Sequence, residues 1–82
     1  MVTTISEAEV LEVIQKALGL DAKSITIESS VWNINEWDSL GHLGILTALD
    51  AFFEGKVAAI KDMAKADSVR KILHILKNNS LI

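Results

Sequence analysis

Not one of the 82 residues is a cysteine or a proline, and these two absences limit the possible folds more than any other feature. Without cysteine there can be no disulfide framework, zinc–thiolate site or cysteine nucleophile, so apolar packing must hold the chain together unaided. A chain this short buries only about 60% of the surface it would expose unfolded, enough for one domain (residues 1–82) and not for two. Without proline, and with only two Trp and two Phe, a many-turned β-sandwich is a poor fit and a helical bundle a good one. Half the residues are hydrophobic and 23% are charged, which excludes a disordered tail. A core and a substrate cleft compete for the same few residues, so a self-contained enzyme is not expected.

The apolar pattern has helical spacing. Ser6 followed by Glu9 is a capping box, with Ile5 and Val10 placed as its hydrophobic staple. Val10, Val13, Ile14, Ala17 and Leu18 form one stripe, and Gly19 suits the residue just past the end, so a helix is predicted over 7–18. Asp38 starts a second helix reaching about Glu54, with Leu40, Leu43, Leu46, Leu49 and Phe53 as its expected inner face and Gly55 as its end. A short helix near Ala59–Lys65 presents Ile60 and Met63. A last one, capped by Asp67 or Ser68, presents Val69, Ile72, Leu73 and Leu76. The expected fold is therefore all-α: a small four-helix bundle of three main helices and a short third one.

Residues 19–38 fit less easily. Ile25 and Ile27 alternate with polar neighbours, yet nothing else in the chain reads as a strand that could pair with them. Ser29, Ser30, Asn33 and Asn35 favour turns, and Val31, Trp32, Ile34 and Trp37 are apolar enough to pin the segment to the bundle. A long ordered loop is predicted, with both tryptophans as anchors. Ordered loops of this length are often functional.

Charge narrows the partners. Residues 1–38 hold seven acids against Lys16 and Lys23, a net of −5; residues 39–82 hold four acids against six bases, a net of +2. The bases are scattered, so no nucleic-acid stripe forms, and a helix-turn-helix DNA binder lacks its basic recognition helix. No apolar run approaches a membrane span, and the first residues lack the layout of a signal peptide. A cytoplasmic monomer is expected.

Function surfaces in Trp37-Asp38-Ser39-Leu40-Gly41-His42-Leu43. Ser39 falls in the first turn of a helix after a long loop, where free backbone N–H groups and the helix dipole favour a phosphate on its hydroxyl. Asp38 opposes such a phosphate, which suits it to capping or to orienting a modifying enzyme. A Ser39–His42 nucleophile pair would need a base held by a third group, an oxyanion hole and a G-x-S-x-G elbow, and that elbow is absent. His42 is expected to be an exposed surface histidine, and His74 is too isolated for a metal site.

Asp38-Ser39-Leu40, followed by an amphipathic helix ending Leu49-Asp50-Ala51-Phe52-Phe53, resembles the acyl and peptidyl carrier proteins. The resemblance runs over nearly the whole chain: capped first helix, long loop, serine at a helix start, short third helix, final helix. It implies that Ser39 receives 4′-phosphopantetheine from coenzyme A through a phosphopantetheinyl transferase. The thiol of that arm would then hold an acyl or aminoacyl group as a thioester. Partners would be a loading enzyme and downstream acyl transferases or synthases of lipid or secondary-metabolite biosynthesis. Asp38, Leu40, His42 and Leu43 would form the surface that partners read.

Three departures stand out against the fatty-acid-synthesis carriers. Glu36-Trp37 stands where a glycine-containing stretch is usual, Gly41, His42 and Gly44 stand where acids are common, and Ala58-Ala59 replaces the usual proline. A stand-alone carrier for a specialised pathway fits better than a housekeeping one. The two glycines either allow close packing or flatten a docking face. The competing reading is a helical interaction module that binds a partner through an apolar groove and is never modified.

Overall fold

In the computed structural model, which describes residues 5–82, Ser6 starts the first helix as its spacing with Glu9 requires. The Ser6 hydroxyl accepts the Glu9 N–H at 3.3 Å, and the Glu9 carboxylate accepts the Ser6 N–H at 3.1 Å. Helix α1 runs Glu7–Ala17 and buries Val10 and Ile14 completely, with Leu18 as its C-cap. Gly19 follows at φ +69°, the left-handed conformation that glycine adopts without steric cost.

Helix α2 spans Ser39–Phe52 and α3 spans Val69–Asn78. Between them lies a short 3-10 helix, Lys61–Lys65, within the short helix expected near Ala59–Lys65. Among the described residues there is no β-strand, so the all-α class holds. No helix is long and apolar enough to cross a membrane. The core draws on every segment: Val10 and Ile14 from α1, Ile45 and Leu49 from α2, Val57 and Met63 from the following stretch, and Val69, Ile72 and Leu76 from α3. Ser68, rather than Asp67, caps α3 by accepting the Lys71 N–H at 3.2 Å. Its expected face (Val69, Ile72, Leu73, Leu76) is the buried one.

The inner face of α2 is rotated from the expected one. Leu40 is 80% exposed and Leu43 59% exposed, while Ile45, Leu49 and Phe53 are buried and Leu46 is half-buried. The reason lies at Gly41. A Cβ there would lie 2.9 Å from the Leu18 side chain and well inside contact distance of the Glu36 carbonyl oxygen. The helix turns its narrowest point toward α1 and the loop, and the leucines on either side of that point swing outward. Close packing therefore explains Gly41. At Gly44 the nearest atom to an added Cβ would be the Ala17 carbonyl oxygen at 3.6 Å, ordinary contact distance.

The loop between α1 and α2 is ordered by its own polar residues. The buried Ser29 hydroxyl accepts the Thr26 N–H at 2.9 Å, and Asn33 accepts from the Ser30 N–H and donates to the Glu28 carbonyl, both at 2.9 Å. The loop also finds a pairing partner, contrary to expectation. Ser30 forms a single antiparallel bridge with Ser68: the Val31 N–H donates to the Asp67 carbonyl and the Val69 N–H to the Ser29 carbonyl, each at 3.0 Å. The residues leading into α3 are extended, so they can offer a strand-like edge that helical periodicity does not reveal. Of the expected anchors, Trp37 is buried, Ile34 is half-buried and Val31 is exposed; Ile25, earlier in the loop, is buried as well. Trp32 is 76% exposed and anchors nothing in the core.

The two glycines of α2 should respond oppositely to alanine. Gly41→Ala should lose about 1–3 kcal/mol through overpacking against backbone that cannot rotate away. Gly44→Ala should gain up to about 1 kcal/mol from helix propensity. Urea unfolding of the two variants checks this, and equal midpoints would contradict the packing assigned to Gly41.

Candidate functional site

Asp38 has extended backbone and its Oδ1 accepts the Gly41 N–H at 2.8 Å, closing the first turn of α2. Its carbonyl accepts the His42 N–H at 2.8 Å. Ser39 is the first residue inside the helix and is exposed. Among the described residues its hydroxyl has no hydrogen-bond partner, and the cap leaves the Ser39 and Leu40 N–H groups facing solvent. A negative group on the Ser39 oxygen would meet the positive end of the helix dipole there.

Ser39 borders an open groove of about 430 Å³, whose lining includes Val31, Trp37 and Asp38 from the loop and Ala64, Lys65 and Ala66 from the 3-10 helix and its end. Three separate stretches of chain therefore meet around the hydroxyl: the end of the loop, the start of α2, and the end of the 3-10 helix. The dimensions and mixed lining suit an extended, flexible group attached at Ser39.

His42 is at the floor of this groove, and here the structure corrects the expectation of a free surface residue. It is half-buried, and both ring nitrogens are engaged. The Trp37 indole N–H donates to Nδ1 at 3.0 Å, and Nε2 lies 2.9 Å from the Met63 carbonyl oxygen. An indole N–H can only donate, so Nδ1 must accept; the ring proton then sits on Nε2 and donates to Met63. The two ring planes lie within 15° of parallel, with centroids 6.1 Å apart. His42 thus bridges the last buried residue of the loop and the buried residue of the 3-10 helix. A nitrogen bonded in this way is not available to take a proton from Ser39, so the pair is not arranged as nucleophile and base.

Of the residues singled out in the sequence, Asp38, Ser39 and His42 meet at the groove. Leu40 and Leu43 lie outside it, exposed on α2. The sequence reading missed Lys65, 26 positions after Ser39, and the acceptor at Met63, which is a backbone carbonyl and leaves no trace in residue identity. The Trp37–His42 spacing was visible, but i,i+5 across a helix cap is no recognised pairing rule.

Removing the imidazole should leave the Trp37 indole N–H without a partner and the Met63 carbonyl with only the Ala66 N–H, at 3.2 Å. His42→Ala is expected to lower stability by about 1–3 kcal/mol, the usual cost of orphaned buried polar groups. It should also move the Trp37 indole N–H resonance upfield while that of Trp32 stays in place. An unmoved Trp37 resonance would contradict the bridge.

No family model, no curated protein and no solved structure matches this chain, so the reading of the site rests on its own residues and their geometry.

Proposed function

We propose that the chain is a carrier domain of the acyl or peptidyl carrier type. Ser39 is its attachment residue for 4′-phosphopantetheine, and the helices serve as the small four-helix bundle of that type. The observation that carries this reading is the state of Ser39. Its hydroxyl is exposed, is free of internal hydrogen bonds, and stands at the start of a long helix on the rim of an open groove. Packing alone gives no reason for a serine in that position, since Asp38 already provides the cap. The residues around it fit an attached arm: a mouth open to solvent, free N–H groups beside the ester oxygen, and no side chain filling the groove.

When bound, the arm supplies a thiol that holds acyl or aminoacyl cargo, chemistry that a chain without cysteine cannot offer itself. The protein's own part is to present the hydroxyl to a phosphopantetheinyl transferase and to hold the groove open. Leu40 and Leu43 follow Ser39 within its first helical turns and face solvent, which suits them to contact the transferase, the loading enzyme and the acyl transferases or synthases downstream. Asp38 acts by fixing the first turn. His42 acts from beneath, by fixing where that turn meets the 3-10 helix. The domain works as a cytoplasmic monomer, passed between enzymes and catalysing nothing.

The same exposed leucines, together with Trp32, also fit a module that binds a partner and is never modified. Ser39 separates the two readings. Co-expression with a broad-specificity phosphopantetheinyl transferase should raise the intact mass by one phosphopantetheine, and Ser39→Ala should abolish the increase. An unshifted wild-type mass, or an increase that survives Ser39→Ala, refutes the carrier function.

A further inference from the structure

Asp38 poses an electrostatic problem for a phosphate on Ser39, because the neighbouring carboxylate repels it. The groove contains the compensating charge. Lys65, the last residue of the 3-10 helix, is exposed and lines the same groove as Ser39. Among the described residues no carboxylate pairs with it. The two bases that follow it in sequence are engaged: Arg70 pairs with Glu28, and Lys71 lies 2.9 Å from Asp67. Asp67 is the second acid on the groove, so Lys71 already offsets it; the lysine is off the direction of a hydrogen bond and acts through charge. Asp38 faces the groove with one oxygen held by the Gly41 N–H. Lys65 is left as a cation with no internal partner, on the same groove as a serine with no internal partner.

We propose that Lys65 is a positioning residue for the phosphate ester on Ser39, pairing its ammonium with the ester's non-bridging oxygens and drawing the arm over the 3-10 helix. This rests on the carrier reading above. A charge-assisted N–H···O⁻ bond is roughly twice as strong as a neutral one, and lysine delivers it without imposing a fixed geometry. The arm is flexible, so a point charge on a long stem is the appropriate partner. Lys65 and Ala66 also border a second groove, of about 540 Å³, whose other lining includes Asp62, Arg70, Lys71 and His74. Lys65 stands on the ridge between the two grooves. An arm held there is directed away from Leu40 and Leu43, leaving that face of α2 clear.

The test compares apo protein with protein modified by a transferase and coenzyme A, for wild type, Lys65→Arg and Lys65→Gln. Intact mass first establishes attachment in each sample. Amide and phosphorus NMR spectra are then recorded. Attachment should move the amide resonances of residues 64–67 in wild type and in Lys65→Arg. In Lys65→Gln those movements should vanish while the changes at residues 39–41 persist, and the phosphorus resonance should differ from that of wild type. Equal movements at 64–67 in Lys65→Gln, or wild-type changes confined to residues 38–42, would overturn the role of Lys65 and leave the carrier function standing. A wild-type chain that accepts no arm overturns both.

Discussion

The imidazole of His42 is the joint on which the end of the molecule around Ser39 depends. It takes a hydrogen bond from the Trp37 indole and passes one to the Met63 carbonyl, so a single ring ties the loop, α2 and the 3-10 helix together. Each of those parts is weak alone. A 3-10 helix of five residues has poor hydrogen-bond geometry, and the loop before α2 has no ladder of its own. The two residues that His42 joins are both almost wholly buried, Trp37 at 2% and Met63 at 1% exposure, while His42 itself is half-buried beside the groove. A polar contact in such a place contributes specificity beyond its net energy, because every alternative packing leaves one of its members unsatisfied.

The orientation of that joint decides which side of α2 is available for function. With Gly41 against the Glu36 carbonyl and His42 turned toward Met63, Ile45, Leu49 and Phe53 follow on the same inward side at steps of four. Ser39, Leu40 and Leu43 are then outward by necessity. Leaving a leucine in water forgoes about 1.5–3 kcal/mol of burial, and two are left out in a domain whose core is small to begin with. A helix rotated to bury them would turn Ser39 and the groove away from their present positions. Packing therefore sets the phase of the helix, and under the proposed function the exposed leucines are the cost of presenting Ser39.

Where local chemistry decides the structure, the residues make it legible: Ser6 with Glu9 starts α1, Gly19 and Gly55 lie past helix ends at positive φ, and Asp38 closes the turn that presents Ser39. The face of α3 was readable because hydrophobic and charged positions alternate around it at clear helical spacing. In α2 the same logic failed, since all its positions from Ser39 to Leu49 are uncharged and apolar residues recur on every side. Hydropathy then cannot set the phase, and the residue that does set it is a glycine, whose contribution is the absence of a side chain. Trp32 misled for a related reason: a large apolar residue in a loop signals burial only where the loop's own turns direct it inward. The Ser30–Ser68 bridge and the Lys65 wall of the groove join positions far apart in the chain, and no local pattern encodes them.

The uncharged stretch of α2 also bears on how partners would recognise a carrier of this kind. The first carboxylate on the helix is Asp50, more than two turns beyond Ser39, and its Oδ1 accepts the Val57 and Ala58 N–H groups at 3.1 and 2.8 Å. That carboxylate closes the turn after α2 and is poorly placed to attract a basic enzyme surface. Most of the chain's negative charge belongs to the first 38 residues, on α1 and the loop. Long-range attraction between such a protein and its partners would act on that half and fade with salt, whereas contact around Ser39 would rest on Leu40 and Leu43. Steering and docking are thus assigned to different parts of the surface. In a carrier of this kind, charge would bring the domain near and the apolar patch beside the serine would determine which enzyme it fits.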